Sequence, residues 1–379
     1  MNLPRGARVA LISMLVSTSG SLQAETPAVP ALKLPPGFSV EVWAGDVPNA
    51  RAMALGDQGT LFVGSRSAGK VYALRDTDGD GRPDRITVLA EGLNMPSGIA
   101  FHDGALYVAE IQKIWKLPAI EQHLEAPPKP VKVRDDLPDK SHHGWRYIAF
   151  GPDGKLYLAI GAPCNVCKLD TFKRDGKTLQ FGTITRMDAD GRNWEVVARG
   201  VRNSVGFDWD PATQKLWFGE NGRDMLGDDT PDCELDVLDR PGEDFGFPYC
   251  HAGTIADPEF GKLGSCTAAK APAALLGPHV APLGLAFYRG TMFPAGYRGN
   301  VFVALHGSWN RSKKNGYRVQ RVMIEDGKVV GQQPFVEGWL QDEQVSGRPA
   351  DVLPLPDGSL LISDDMAGKI WRVSYRGSS

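Results

Sequence analysis

The chain is short of cysteine, of long apolar runs and of net charge, and each shortage closes off a class of function. It has five cysteines in 379 residues. A zinc site would need a second pair at the spacing of Cys164 and Cys167, and no such pair is present. Lys168 follows Cys167 where a covalent c-type haem would need histidine. The one apolar run, Val9 to Val16, is too short to span a membrane. A formal net charge of −3 offers nothing to attract nucleic acid. The sequence has no Gly-x-Gly-x-x-Gly on a strand–helix unit, so nicotinamide binding has no support. Nor does it have a Gly-x-Ser-x-Gly nucleophile elbow.

What is present at the N-terminus reads as an export signal. Arg5 and Arg8 precede the run Val9 to Val16, and small and polar residues follow up to Ala24. This pattern predicts a signal peptide over residues 1–24, cleaved after Ala24, and a periplasmic or secreted protein. Residues 25–36 are Pro-rich and read as a loose lead-in. In an exported chain the cysteines default to disulfides. Cys250 and Cys266 bracket one loop and are read as a pair, and Cys164 with Cys167 as a second, self-closing one. One cysteine is left over.

The remaining chain carries a repeat. A turn residue, then x-Leu-aromatic-aliphatic or a close variant, recurs at Gly59 to Val63, Gly104 to Val108, Gly154 to Leu158, Gln214 to Phe218, Gly299 to Val303 and Gly358 to Ile362. Most are followed by a second amphipathic strand, such as Lys113 to Leu117 or Lys369 to Val373. The anchors Leu61, Leu106, Leu156, Leu216, Val301 and Leu360 stand 45 to 85 positions apart. Short strands recurring at such periods indicate a propeller. The expectation is one all-β domain over residues 37–376: a six-bladed β-propeller with four-stranded blades and long inserted loops on one face. N-terminal strand material would have to pair with the last repeat to seal the ring.

In each repeat one position lies a few residues before the first strand of the hairpin. Arg51, Asn94 to Ser97, His143, Arg202 with Asn203, His279 and Arg348 stand there. In a propeller these positions surround one mouth of the central channel. A mouth rich in histidine and arginine suits an anionic ligand. Neutral histidine can take a proton from a hydroxyl, and arginine can hold a developing oxyanion. Separately, Asp76, Asp78, Asp80 and Asp84 carry alternating carboxylates on a Gly-containing turn, a spacing that suits calcium. The alternative is a solvated surface turn.

The blocks ARAMALGDQGTLFVGSR, HHGWRYIAFGPDGKLYLAIGAPCNVC, GVRNSVGFDWDP, GEDFGFPYCHAG, HVAPLGLAFY and ALHGSWNR together resemble the soluble quinoprotein sugar dehydrogenases. That group takes in the glucose/sorbosone and aldose sugar dehydrogenases, and the sorbosone-dehydrogenase-like members are the most similar. The resemblance runs from about residue 33 to 375. It implies a six-bladed propeller binding pyrroloquinoline quinone (PQQ) and calcium at the channel mouth, and a sugar or aldehyde substrate. Electrons would pass to a periplasmic acceptor. It places the catalytic base on His143, and the family's Arg-Asn pair on Arg202 and Asn203, with the arginine beside the quinone carbonyl. A cofactor-carboxylate ligand falls on Arg348. Calcium-binding backbone carbonyls fall near Gly222 and Arg223. His279 occupies a position that carries a hydroxyl residue in other members. Arg311 substitutes for a lysine near the fifth repeat, and His142 stands where some members carry the acidic partner of the base. Asn94, from the repeat, joins the cofactor-binding set. Rival readings are a calcium-dependent lactonase and a non-catalytic sugar- or protein-binding propeller.

Overall fold

Short runs of aliphatic and aromatic residues separated by Gly-rich turns can bury both faces only inside stacked sheets, and the chain folds accordingly. The computed structural model describes residues 1, 31–174 and 176–377. Apart from Met1, the expected signal segment 1–24 lies outside the described residues, as do residues 25–30 of the lead-in.

Six sheets form six blades. The first has strands Ala50–Leu55, Leu61–Ser65, Val71–Arg75 and Arg85–Ala90, and the second Gly98–His102, Ala105–Ala109, Ile114–Leu117 and Val131–Arg134. Blade three has Ile148–Phe150, Leu156–Ile160, Thr183–Met187 and Glu195–Arg199, and a short parallel fifth strand, Glu243–Asp244. Blade four has Phe207–Trp209, Leu216–Glu220, Asp232–Leu238 and Ala274–Pro278, and blade five Pro282–Phe287, Val301–Leu305, Arg318–Glu325 and Lys328–Val336. In blade six, Pro349–Pro354, Leu360–Asp364 and Lys369–Tyr375 gain their fourth strand from the other end of the chain. Phe38–Ala44 pairs antiparallel with Lys369–Tyr375. All six predicted anchors lie in second strands and are buried. Apolar clusters fill each blade-to-blade gap. Phe302, Val336, Leu360 and Trp371 belong to the one between blades five and six.

The antiparallel order sorts the loops by face. The start of each first strand and the connection from second to third strand lie at one end of the channel. The inserts 161–182, 221–231 and 306–317 are all of this kind. The insert 239–273 leaves from the opposite end but climbs the outer edge, through Glu243–Asp244, until Asp257 meets Arg223. Residues 76–84 join a third strand to a fourth, so the acidic loop lies at the end away from the mouth. Both expected disulfides form, Cys164–Cys167 and Cys250–Cys266. Cys233 is free and buried.

Blade four buries three carboxyl groups on one face. Glu220 stands opposite Glu234, and Asp236 opposite Phe218. Both carboxylate oxygens of Asp236 and Oε2 of Glu220 lack a partner among the described residues. Burial, reinforced by neighbouring carboxylates, pushes Glu220 and Asp236 well above the ordinary range. Burial pushes Glu234 up to about 7. The folded protein therefore holds protons that the unfolded chain releases near pH 4, and these groups lower stability as pH rises from there. Asp236→Asn keeps the shape and removes the titration. In thermal unfolding its stability advantage over wild type should grow from pH 5 to pH 8, reaching ~1–3 kcal/mol. A pH-independent difference would mean that Asp236 is not held protonated.

Candidate active site

The mouth opens into a cavity of about 420 Å³. Residues from every blade but the second line it, among them Arg51, His143, Arg202, Asn203, His279 and Arg348. These come from the positions just before or at the start of first strands, so the repeat brings them together as expected. Gly161 lies behind two of them. A Cβ there would stand 2.6 Å from the His143 Cβ and 2.7 Å from Asn203 Oδ1, so glycine lets the strand end back directly onto the pair.

His143 sits in a left-handed conformation, φ +49°. Its Nδ1 lies 2.9 Å from the carbonyl oxygen of Ala162. A carbonyl can only accept, so Nδ1 carries the proton and Nε2 keeps the lone pair. Burial, then the positive charge of Arg202, then His142, hold the imidazole down to about 2. The ring is thus a neutral base at any physiological pH. Its orientation comes from a backbone carbonyl, not from His142. The His142 ring packs at 4.1 Å from that of His143 and is exposed.

Arg202 is buried and almost fully engaged. Its Nε donates to Asn165 O at 2.9 Å and its NH1 to Asn221 O at 3.0 Å. Its NH2 donates to Asn165 Oδ1 and Asp224 Oδ2, both at 2.9 Å. Four of the five guanidinium N–H donors are spent, which leaves one on NH1. Desolvation lowers the Arg202 pKa against the pull of Asp224. Arg348 donates to His306 O at 3.0 Å and Gly307 O at 2.7 Å. Arg51 and Arg66 flank the Trp145 ring, each 5.1 Å from its centroid.

Several polar atoms around this cavity are buried without a hydrogen bond among the described residues. They are Nε and NH1 of Arg51, Nε of Arg66, Nε1 of Trp145 and Oδ1 of Asn203, of which Arg51 Nε has an ionic contact with Asp365 Oδ2 at 3.5 Å. Four of the five are donors, and burying a donor unpaired costs about 1–3 kcal/mol. An acceptor-rich anion would satisfy them. Gly222 and Arg223 also line the cavity, and among the described residues no hydrogen bond falls on either carbonyl oxygen. Two neighbouring free carbonyls suit a hard cation. The Arg223 side chain turns away to pair with Asp257.

Three expectations are placed elsewhere. Asn94 is exposed and absent from the cavity lining, and its backbone N–H is held by Glu110. Ser97 of the same stretch turns inward, its hydroxyl 3.4 Å from Arg146 O deeper in the channel. Arg311 also misses the lining. It donates to Asp228 O at 3.0 Å and pairs with Asp229 at 2.7 Å, stapling insert 306–317 to insert 221–231. In the acidic loop, carboxylate oxygens of Asp76, Asp78 and Asp80 lie within 4.8 Å of one another. Asp84 instead accepts from Thr77, at 2.8 Å from its N–H and 2.5 Å from its hydroxyl. Arg146, three residues after His143, is buried and bonded to Ile111 O and Pro138 O.

The cavity also contains residues that the repeat did not single out. His306 lines it, and its Nε2 is 2.9 Å from Asp365 Oδ1. Trp309 lines it with 70% of its surface exposed. Arg66, Trp145 and Asp224 also line it. His306 and Trp309 fall within the ALHGSWNR block, which was the only sequence signal for them.

Comparison with known proteins agrees with this architecture. The model of the TrAA12-like family matches residues 32–375. An uncharacterized protein of Borreliella burgdorferi is 32% identical across 383 aligned residues, covering 96% of each chain. Among solved structures, the holo form of the pyranose dehydrogenase PQQ domain from Coprinopsis cinerea superposes with a TM-score of 0.76 at 18% identity. It covers 91% of this chain and 97% of that one. The calcium structure of the Trichoderma reesei carbohydrate-active enzyme of family AA12 gives 0.76 at 19%, covering 92% and 98%. The PQQ-bound aldose sugar dehydrogenase from Streptomyces coelicolor gives 0.64 at 23%, covering 91% and 100%. With its family model matched from blade to blade, the chain belongs to the TrAA12-like family.

Proposed function

We propose that this protein is a PQQ- and calcium-dependent dehydrogenase that oxidises an aldose sugar or sugar aldehyde, of the glucose or sorbosone type, outside the cytoplasm. The observation that carries this reading is the set of unpartnered buried donors beside a histidine whose Nε2 is free. PQQ is an anion bearing several carboxylates; the aldose sugar dehydrogenase from Streptomyces coelicolor is PQQ-bound, and the Coprinopsis cinerea relative is a PQQ domain in its holo form. The residues present fit it. Arg51, Arg66, Arg348 and Trp145 would hold its carboxylates and carbonyls, with Asn203 and His279 at its edge. The free carbonyls of Gly222 and Arg223 would hold calcium.

When bound, the quinone supplies the two-electron acceptor for hydride from the substrate carbon. The chain does the rest. Nε2 of His143 takes the proton from the reacting hydroxyl of the sugar or hydrated aldehyde, while Nδ1–H stays on Ala162 O. The remaining N–H of Arg202 stabilises negative charge as it develops on an oxygen in the cavity. Trp309 presents an open aromatic face at the rim to the C–H face of a sugar ring. Electrons would leave to a periplasmic acceptor.

In a His143→Ala variant, sugar-dependent dye reduction should fall by roughly 10²–10⁴-fold while PQQ binding stays near wild type. Because His143 is kept neutral far below the ordinary histidine range, wild-type kcat/KM should show no acid limb at pH 6.5. An acid limb there that disappears in His142→Ala would transfer the role to His142.

Arg202→Ala should lower kcat by roughly 10²–10³-fold with a smaller change in KM. Arg202→Lys keeps the charge without the planar fork and should rescue only part of the loss. Wild-type turnover in both variants would reduce Arg202 to a structural ion pair.

Dialysis against a calcium chelator should abolish activity, and calcium with PQQ should restore it. Absorbance titration of the apoprotein with PQQ reads binding directly. Full activity after exhaustive chelation, with no quinone released on denaturation, would overturn the cofactor assignment.

A further inference from the structure

One strap touches both groups assigned to the chemistry. Residues 161–167 leave the end of the second strand of blade three, and within them Ala162 O accepts the His143 Nδ1 proton at 2.9 Å. Ala162 N–H donates to the backbone oxygen of Arg202 at 2.7 Å. Asn165 then supplies two acceptors to the Arg202 guanidinium, its backbone oxygen to Nε and Oδ1 to NH2. The same Oδ1 accepts from Asp224 N–H at 2.9 Å, and Asn165 Nδ2 donates to Asp224 O at 3.0 Å. Asp224 in turn pairs with Arg202 NH2. Asn165 thus sits at the centre of a closed network that spends three of the four engaged guanidinium contacts. The Cys164–Cys167 disulfide closes the loop that carries Asn165.

This placement is not needed for the core. Residues 163–167 are only partly buried and lie in no strand. A short, half-exposed loop would ordinarily sample many conformations, and a crosslink removes most of them. The Cys164 and Cys167 side chains are spent on the crosslink, while Asn165, one of the two residues they enclose, bonds the arginine. We propose that the disulfide-closed strap is a positioning element for the reaction, and that Asn165 is the positioning residue that aims the Arg202 guanidinium. Ala162 does the same for His143 through its carbonyl. The inference rests on the dehydrogenase reading for its catalytic consequence, but its structural content does not.

The test pairs holoenzyme kinetics with a probe of the apoprotein. In the PQQ- and calcium-loaded enzyme, Asn165→Ala should lower kcat by roughly 10²-fold, the scale of a small misplacement of a reacting group. KM should hold nearly constant, because the loss falls on the transition state. Asn165→Asp keeps both oxygen acceptors toward Arg202 and should recover most of the loss. The double variant Cys164→Ser/Cys167→Ser should lower kcat in the same direction. In the apoprotein, phenylglyoxal should modify Arg202 slowly in wild type and markedly faster in Asn165→Ala and in the double variant, read by peptide mapping of the folded fraction. Unchanged labelling of Arg202 in both variants would overturn the inference, whatever the activities. So would wild-type kcat in both. If wild type oxidises no sugar while labelling changes as expected, the strap stands and the dehydrogenase reading falls.

Discussion

The structure depends on ring closure. Each blade is a small twisted sheet with two apolar faces, and neither face can be left to water. Six blades cover one another in turn, so the last needs the first, and the gap between blades five and six is filled partly by Phe38, Val40 and Val42 from the N-terminal strand. The strand Phe38–Ala44 completes the sheet begun by Pro349–Pro354, some three hundred residues later. Once the ring is closed, the six first strands stand around one axis. Whatever residues precede them are forced into a shared mouth, however far apart they are in the chain.

That enforced gathering brings together groups that repel. Arg51, Arg66, Arg202 and Arg348 share one cavity with two histidines held neutral by burial and by the arginine charge. Only part of the positive charge is offset within the wall. Asp224 pairs with Arg202, and Asp365 lies against both His306 and Arg51. The unpaired donors of Arg51, Arg66 and Trp145 remain. A fold tolerates such a concentration of buried donors where a ligand completes them, because leaving them bare is unfavourable and their geometry is already set. The same electrostatics serve the base: the positive surroundings that attract an anion keep His143 unprotonated.

Much of this was legible in the residues. Alternating apolar positions after Gly-rich turns announced six hairpins, and their register told which loops share a face. His143, Arg202, Asn203, His279 and Arg348 could be placed at the mouth because each stands within five residues before a first strand. Asn94 stands at a similar offset but is exposed, since blade two turns Ser97 into the channel instead. The resemblance implies Arg311 in the cofactor set, but it misses the cavity lining. It lies on a longer insert whose path depends on its contact with Asp228 and Asp229. Offsets from strands carry no information about where a long insert turns back. For the same reason His306, Trp309 and Asn165, all on connections from second to third strands, were not assigned roles.

The amino-acid sequence by itself determined the blade count, the strand pattern and the chemical types brought to the mouth. Those follow from local periodicity and turn chemistry, which need only neighbours along the chain. The tertiary structure alone decided which histidine nitrogen is free, how many donors of Arg202 remain, and which buried donors go unpaired. It also decided that the strap 161–167, closed by the Cys164–Cys167 disulfide, touches both His143, through Ala162, and Arg202, through Asn165. Each of these is a contact between segments tens of residues apart, and its existence depends on the closed ring that sets their distance.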